Sequence, residues 1–447
     1  MLIGLSFLSA QGMYEVGLDK PYKTISEAWE AIREDVLDTY TIQVDAGTYI
    51  ESELQGIPDV KITIIGSGAD KTFIQRASLE TFEMLDGQQA GYLFRTHKTN
   101  YPCDNMELTC ENMTFQYIGA TKHNWGGAVV VAEGQNQKYS FKNCNFRKIF
   151  VRQGAIIAAT AAAATPVSFS MENCFIEDSG EYDFNNIAGM MFFKWGAELT
   201  LRNVTFMNND FELHNQHPTD ASSGQDLNRK NGLIIHMEAA DAYPSNILIE
   251  NVNIINSSIT AESTSLLPMI RVKAASPASV SAMIVKDLVM LSNVRAETPD
   301  CDFAYSSDVT PILESCVFNS VKSEAAGEFI DVEELDGAEI LSDAKSSSYF
   351  EMEGAAPKIY TDDKGVKSIK RVMSGIKFQE LDNDITVFTK NGLITLSGLQ
   401  GISRVLVYDM LGKIVQDITT QSQSVDFNLQ GGVYIVKVGT ANLKIAL

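Results

Sequence analysis

The chain predicts an all-β fold: a right-handed parallel β-helix, or solenoid, with an N-terminal cap helix, followed by a small C-terminal antiparallel β-sandwich. Three observations predict it. A unit of about thirty residues recurs through the middle of the chain. Its period-two alternation slips at one anchor residue, Asn in five copies and Asp or Ser in the two weaker ones. From Ile385 to Leu447 the pattern changes to short β runs separated by turn signals.

The recurring unit reads apolar-x-apolar-x-Asn-apolar-x-apolar. It occurs as LTCENMTF (108–115), YSFKNCNF (139–146), SFSMENCFI (168–176), TLRNVTF (200–206) and LIENVNI (248–254), with weaker copies IVKDLVM (284–290) and LESCVF (313–318). The anchors Asn112, Asn143, Asn173, Asn203, Asn251, Asp287 and Ser315 are spaced 31, 30, 30, 48, 36 and 28 residues apart. In the copy at 199–206, Leu199 and Leu201 share one face, and after Asn203 the inward set becomes Val204 and Phe206. A phase slip at Asn is a bend, because Asn tolerates the left-handed conformation and bonds local backbone. Stacked once per coil, these side chains form a ladder. A second strand-like unit precedes most copies: GGAVVVAE (126–133), GAIIAAT (154–160), GMMFFKW (189–195), GLIIHME (232–238) and PMIRVKA (268–274). Leucine-rich repeats are shorter and partly helical, and propeller blades run to about 40–45 residues with four strands. The small-residue run Ala155–Ala164 reads as a buried strand and a tight corner without chemistry.

Solenoid ends need covering, because an open edge recruits other strands. Thr24-Ile-Ser-Glu27 is a capping box ahead of the amphipathic stretch AWEAIRE, which gives the cap helix. TIQVDAGTYIESEL (41–54), VKITIIGSG (60–68) and KTFIQ (71–75) follow. The DAGTYIES strand-turn and the ITIIGSGADKTFI strand pair resemble the opening of pectin methylesterases and other pectin-lyase-like β-helix proteins. That resemblance covers about fifty-five residues and implies the fold, which serves many activities. Methylesterase chemistry in that family uses two Asp, an Arg and two Gln. Here CFIEDSGEYDFNNIAG (174–189) echoes one family motif, with Asp183 as the matching Asp, while the QDT and Trp-Gly-Arg stretches are missing.

At the other end, the NGLITL opening, the VYDMLGKIV strand-turn-strand and the GGVYIVKV strand before a Lys-containing tail resemble the C-terminal sorting domain of the bacterial type IX secretion system. The turns fall at Lys390-Asn391-Gly392, Leu411-Gly412-Lys413 and Gln430-Gly431-Gly432. The tail LKIAL is less basic than is common in the family. The resemblance implies export to the surface of a Gram-negative cell, with the type IX machinery as a partner through residues 381–447. Met1 to Ala10 (MLIGLSFLSA) reads as the apolar region and cleavage end of a signal peptide, though no basic residue precedes it. The expected division is a signal-peptide remnant (1–10), a β-helix domain (20–360), a linker (361–380) and the sorting domain (381–447).

Of the 447 residues 45% are hydrophobic, enough for a large core, and the net charge is −22. That charge argues against nucleic acid and anionic membrane as partners. No run reaches the ~18 apolar residues of a spanning helix, so the protein is expected not to cross a membrane, and to be a monomer. Six cysteines are too few for a disulfide scaffold. Cys144 and Cys174 occupy equivalent repeat positions, as buried thiols or as a bridge; Cys103 and Cys110 are a second candidate pair. No Cys/His spacing suits a metal, so no metal and no cofactor are expected, with Ca2+ entering only under a lyase reading.

Candidate functional residues lie in the loops that follow the Asn unit. They are His123, Asn124 and Trp125; Arg152 and Gln153; Tyr182, Asp183, Asn185 and Asn186; and the long insert 208–231 with His214, His217, Asp220, Asp226, Arg229 and Lys230. Equivalent loops of a solenoid stack, and an aromatic ring beside amides and carboxylates suits a sugar. Trp125, His123, Asn124, Arg152, Tyr182, Asn185 and His217 are the glycan-binding candidates. Asp183, His214 and Arg229 are the catalytic candidates. The same residues read equally as solvated corners. The leading function is a surface-displayed, adhesin-like module that binds polysaccharide. The alternatives are a lyase or glycoside hydrolase acting on uronic-acid-containing or other glycans, and a structural surface protein without a ligand.

Overall fold

A computed structural model describes residues 11–79, 91–96, 103–119, 129–151, 154–160, 167–183, 189–213, 231–261, 267–291, 293–295, 301–341, 346–372, 386–390, 393–397, 399, 403–409, 413–429, 433–438 and 441–446. They fall into two compact units: 1–345 with 359–368, and 346–358 with 369–447.

The first unit is a parallel β-helix. Each coil contributes to three sheets. The first contains Leu54–Gln55, Phe94–Arg95, Val130–Ala132, Ile157–Ala159, Met191–Phe193, Ile235–Ala239, Ile270–Ala274, Phe303–Ser306 and Val321–Ala325, all parallel, and closes with the antiparallel Glu328–Asp331. The second and third sheets are joined through the Asn bend. In Val167–Glu177, Ala197–Met207 and Ser245–Ile255 one continuous strand runs through it, and the three pair with one another in constant register on both sides of the bend. Parallel sheets require both faces covered; here the inward face packs on the opposite sheets. Phe115 stacks on Phe146 with centroids 5.1 Å apart, and Phe303 on Phe318 at 5.4 Å.

The bend has one geometry throughout. Asn112, Asn143, Asn173, Asn203 and Asn251 all have φ between 52° and 58°, and Asp287 and Ser315 follow at 50° and 55°. The side-chain amides form a ladder: each Nδ2 donates to the Oδ1 one coil earlier, at 3.1 Å (Asn143 to Asn112), 3.2 Å (Asn173 to Asn143), 2.9 Å (Asn203 to Asn173) and 2.8 Å (Asn251 to Asn203). Five residues further on comes a second left-handed bend, at Tyr117, Lys148, Asp178, Asn208 and Asn256. It starts the short parallel strands Gly180–Asp183, Asp210–Leu213 and Ser258–Ala261, the last of which pairs with Val294–Arg295.

The cap helix spans Ile25–Arg33 and buries Ile25, Ala28, Trp29 and Ile32. The Thr24 hydroxyl accepts from the Glu27 N–H at 3.1 Å, but the Glu27 carboxylate accepts from Lys23, one residue before the cap. The buried Glu51 carboxylate takes the next two amides, Ile25 and Ser26, at 2.8 and 2.7 Å, which satisfies the first turn from outside the helix.

All six cysteines are buried free thiols. The Cys103–Cys110 bridge does not form. Cys110 points into the core from the second sheet, while the Cys103 sulfur lies 3.7 Å from Met106 Sδ, and burial pushes the Cys103 thiol up to about 12. Cys144 and Cys174 form no bridge either: both are free thiols, each within hydrogen-bond reach of a backbone carbonyl.

The second unit holds two antiparallel sheets. One contains Thr386–Lys390, Leu393–Ser397 and Ser424–Asn428; the other contains Ile414–Thr420, Ser403–Asp409, Val433–Val438 and Ala441–Ala446. Ile394, Leu396 and Phe427 of the first share one buried cluster with Val405, Val407, Val436 and Val438 of the second.

Candidate functional site

The outward face of the first sheet carries three buried ionisable side chains, His236, Arg271 and Glu324. Register aligns Phe192, His236, Arg271, Ala304 and Lys322 on successive coils, with Met191, Ile235, Ile270, Phe303 and Val321 alongside facing the core. His236, Arg271 and Glu324 are only 1%, 5% and 8% exposed. Arg271 reaches across two coils to Glu324: Nε donates to Oε2 at 3.1 Å, and Nη2 lies 2.8 Å from each carboxylate oxygen. The Phe329 ring sits 5.7 Å from the guanidinium. A buried charge needs such a partner, and the planar fork of Arg matches a carboxylate.

His236 is fixed by its neighbours. The Gly232 N–H donates to Nδ1 at 3.1 Å, and Nε2 faces Glu238 Oε1 at 3.6 Å. Nδ1 therefore carries no proton, and the ring is the neutral tautomer with Nε2–H toward Glu238. Burial lowers the imidazole below its ordinary value; Glu238 opposes this and the Arg271 charge adds to it. The Glu238 carboxyl is held low first by His236, with Lys273 and Arg271 contributing. The Phe192 ring packs on His236 at 5.6 Å. This strip is pre-paired: its proton-bearing groups already hold one another, so it offers shape and stacking more readily than acid–base exchange.

The residues singled out from sequence belong to other segments of the chain, those between the described ends of the third sheet and the next strand of the first. Tyr182 and Asp183 sit on the strand Gly180–Asp183, in register with Glu212 and Leu213. Their side chains, and all of His123, Asn124, Trp125, Arg152, Gln153, Asn185, Asn186, His214, His217, Asp220, Asp226, Arg229 and Lys230, lie outside the described residues. The described ends of these segments do stack: Asp183 pairs with Leu213 and Leu213 with Ala261. On the returning side the Gly154 amide donates to Gly189 O at 3.1 Å and to the buried Glu181 carboxylate at 2.7 Å, and Gly189 N donates to the same carboxylate at 3.0 Å. Sequence reasoning missed His236, Arg271 and Glu324. Their signal was a polar residue at one register position in three short strands, His236, Arg271 and Lys322 (LIIHMEA, MIRVKA, VKSEA), with Glu324 two residues after Lys322.

At the opposite edge of the first sheet, the Trp195 indole N–H donates to the Thr160 carbonyl of the previous coil at 3.1 Å while the side chain stays 39% exposed. Nearer the last coils, Tyr305, Ser307, Pro311, Ser323, Glu334 and Asp336 line a cleft of about 590 Å3. Among the described residues no group of three or more His, Cys, Asp or Glu is placed to hold a metal ion, and no helix is long and apolar enough to cross a membrane.

Register, bends and side-chain ladder define a parallel β-helix protein. No family model matches the chain, and no curated protein matches it. Solved structures do match. A pectin methylesterase from Aspergillus niger is 15% identical, covering 75% of this chain and 92% of its own, with a TM-score of 0.31. A pectin methylesterase from carrot is 13% identical, covering 76% and 90%, at 0.27. A PL6-family alginate lyase is 10% identical, covering 82% of this chain and 56% of its own, at 0.19. The fold assignment rests on the strand register, not on these likenesses.

Proposed function

We propose that this chain is a surface-displayed β-helix module that binds polysaccharide at the corner between its third and first sheets. The observation that carries the reading is the stacking of segment ends at that corner. The parallel pairing of Gly180–Asp183, Asp210–Leu213 and Ser258–Ala261 starts successive segments from one edge of the solenoid. Those strands and the segments after them hold Tyr182, Asp183, His214, His217 and Arg229, and the segment after Gly119 holds Trp125, a set suited to stacking on a sugar and bonding its hydroxyls. The closed pairing of Arg271 with Glu324 and the pinned neutral His236 support a binder over a catalyst on the neighbouring face.

The route to the surface in this reading is type IX export through residues 381–447, after a signal peptide ending near Ala10. The support is the sequence resemblance of that segment and its two small antiparallel sheets. Deleting residues 380–447 is expected to leave the protein in the periplasm; normal surface delivery of the truncated chain sinks the export reading. Binding is tested on a glycan array that includes uronic-acid polysaccharides, with absorbance near 235 nm followed in parallel with and without Ca2+. Retention without new absorbance supports a binder. A rise in absorbance replaces it with a lyase, and silence in both assays favours the structural surface protein.

A further inference from the structure

The third sheet has an outer face that is covered rather than solvated. Thr114, Asn145, Phe175, Thr205 and Asn253 form one row in register, alternating with core residues and so pointing outward, yet all five are buried. Within this row Asn253 and Asn145 behave differently. Asn253 bonds along the row, its Nδ2 donating to Thr205 Oγ1 at 3.1 Å. Asn145 turns both ends of its amide outward, onto a distant segment: Nδ2 donates to the Gly365 carbonyl at 2.9 Å, and Oδ1 accepts from the Lys367 N–H at 3.1 Å.

That segment is a two-stranded hairpin, Ile359–Thr361 with Lys367–Ile369, turned by Asp362, whose carboxylate accepts from the Lys364 and Val366 amides at 2.9 and 2.8 Å. It makes two further contacts with the solenoid. The Ala69 N–H donates to the Lys364 carbonyl at 2.6 Å, and the Lys367 ammonium pairs with the Glu177 carboxylate. Gly365 has φ of 78° and lies so close to the solenoid that a Cβ there would fall 2.2 Å from the Asp70 amide nitrogen. Val366 is buried although the hairpin is too small for a core of its own. Recognition therefore uses backbone groups at three points, one charge pair, and a glycine that permits the approach.

We propose that the outer face of the third sheet around Asn145 is a docking site for a β-hairpin, filled in cis by residues 359–368. The hairpin acts as a latch. An Asn side chain reading one carbonyl and one amide of an extended segment is the side-chain counterpart of strand addition, and Glu177 selects a segment with a cation two residues after its glycine. The chain from Leu341 to Ile359 thus returns from the last coil to the coils that carry Ala69, Asn145 and Glu177.

The test uses the full chain and hydrogen exchange at two amides, Lys367 on the hairpin and Ala69 on the solenoid. In Lys367→Glu, which sets two carboxylates against each other, both amides are expected to exchange about tenfold faster or more, with the Asn ladder unaffected. In the exchanged pair Lys367→Glu with Glu177→Lys, protection is expected to return. A labelled peptide spanning 358–369 is expected to bind the Lys367→Glu chain at least about tenfold more tightly than the wild-type chain, whose site is filled. Unchanged exchange in Lys367→Glu, failure of the exchanged pair to restore it, or equal peptide binding to both chains overturns the proposal. Glycan binding at the return corner is read separately and is expected to be the same in all three chains.

Discussion

Two corners of the same coil are built to opposite rules. At the Asn corner the chain turns from second to third sheet with the same left-handed residue and the same amide-to-amide bond, coil after coil. At the return corner, two residues separate Val151 from Gly154, while seventeen separate Leu213 from Asn231. The first corner tolerates no change in length because strands on both sides of it are paired continuously, as in Ala197–Met207. The second tolerates large changes because each segment there only has to leave one short strand and rejoin the first sheet. Stability and variability are thus allotted to different corners, and variable loops on a rigid frame are where binding is expected.

The Asn corner should break first. Asn173 donates to Asn143 and accepts from Asn203, at φ of 52°. Asn173→Ala removes two hydrogen bonds of about 1 kcal/mol each and leaves a left-handed alanine costing about 1–2 kcal/mol, a loss of about 3 kcal/mol in all. Asn173→Gly keeps the backbone conformation and should lose less. Urea unfolding of the two variants separates ladder from strain; equal losses would mean that the conformation contributes nothing.

The junction of the two designs lies at His236, whose ring is held by the first amide after the long insert. Its folded pKa is lowered relative to the unfolded chain, so the unfolded state takes up the proton more readily. The stability contributed by the neutral ring is full above the unfolded value near 6.5 and is lost as pH falls below it, at up to about 1.4 kcal/mol per pH unit. The lowered Glu238 carboxyl adds a further loss of the same sign, beginning only as pH falls below its ordinary value near 4.3. His236→Gln should flatten the profile between about pH 6.5 and 5 and, because His236 is the first cause of the lowered Glu238 carboxyl, weaken the lower limb as well. An unchanged slope in that window would place the titration elsewhere.

How much of this was legible depended on whether physics imposes one residue type. The Asn bend was, because Asn both tolerates the left-handed conformation and bonds its neighbour, and it recurred at 31, 30 and 30 residues from Asn112 to Asn203. The second bend five residues later was not, because two of its coils fill the left-handed position with Tyr117 and Lys148, which carry no turn signal. The cap helix was legible from Thr24 and its amphipathic stretch, whereas the role of Glu51 depends on a contact across 26 residues. The Arg271–Glu324 pair was hidden for the same reason: 53 residues separate the partners, and only the coil repeat brings them together. The docked hairpin was read as part of a linker, since a short acidic turn such as Asp362-Asp363-Lys364-Gly365 looks the same whether it is solvated or held by Asn145.

The smallest expected effect on stability is also the most informative about function. Removing residues 214–230 and closing Leu213 to Asn231 with a two-residue Gly-Ser link shortens a surface segment, and loop-closure entropy changes by only about 1–2 kcal/mol, in the favourable direction. The flanking strand Asp210–Leu213 keeps its pairing with Ser258–Ala261, so the solenoid should unfold within about 2 kcal/mol of the wild type. Glycan binding should fall sharply, and Trp125→Ala should act in the same direction through loss of a stacking surface worth about 1 kcal/mol. If glycan-array signals survive both changes, the return corner is a solvated side of the solenoid. The exposed Trp195 edge, whose indole is already held by the Thr160 carbonyl, then becomes the place to look for the sugar.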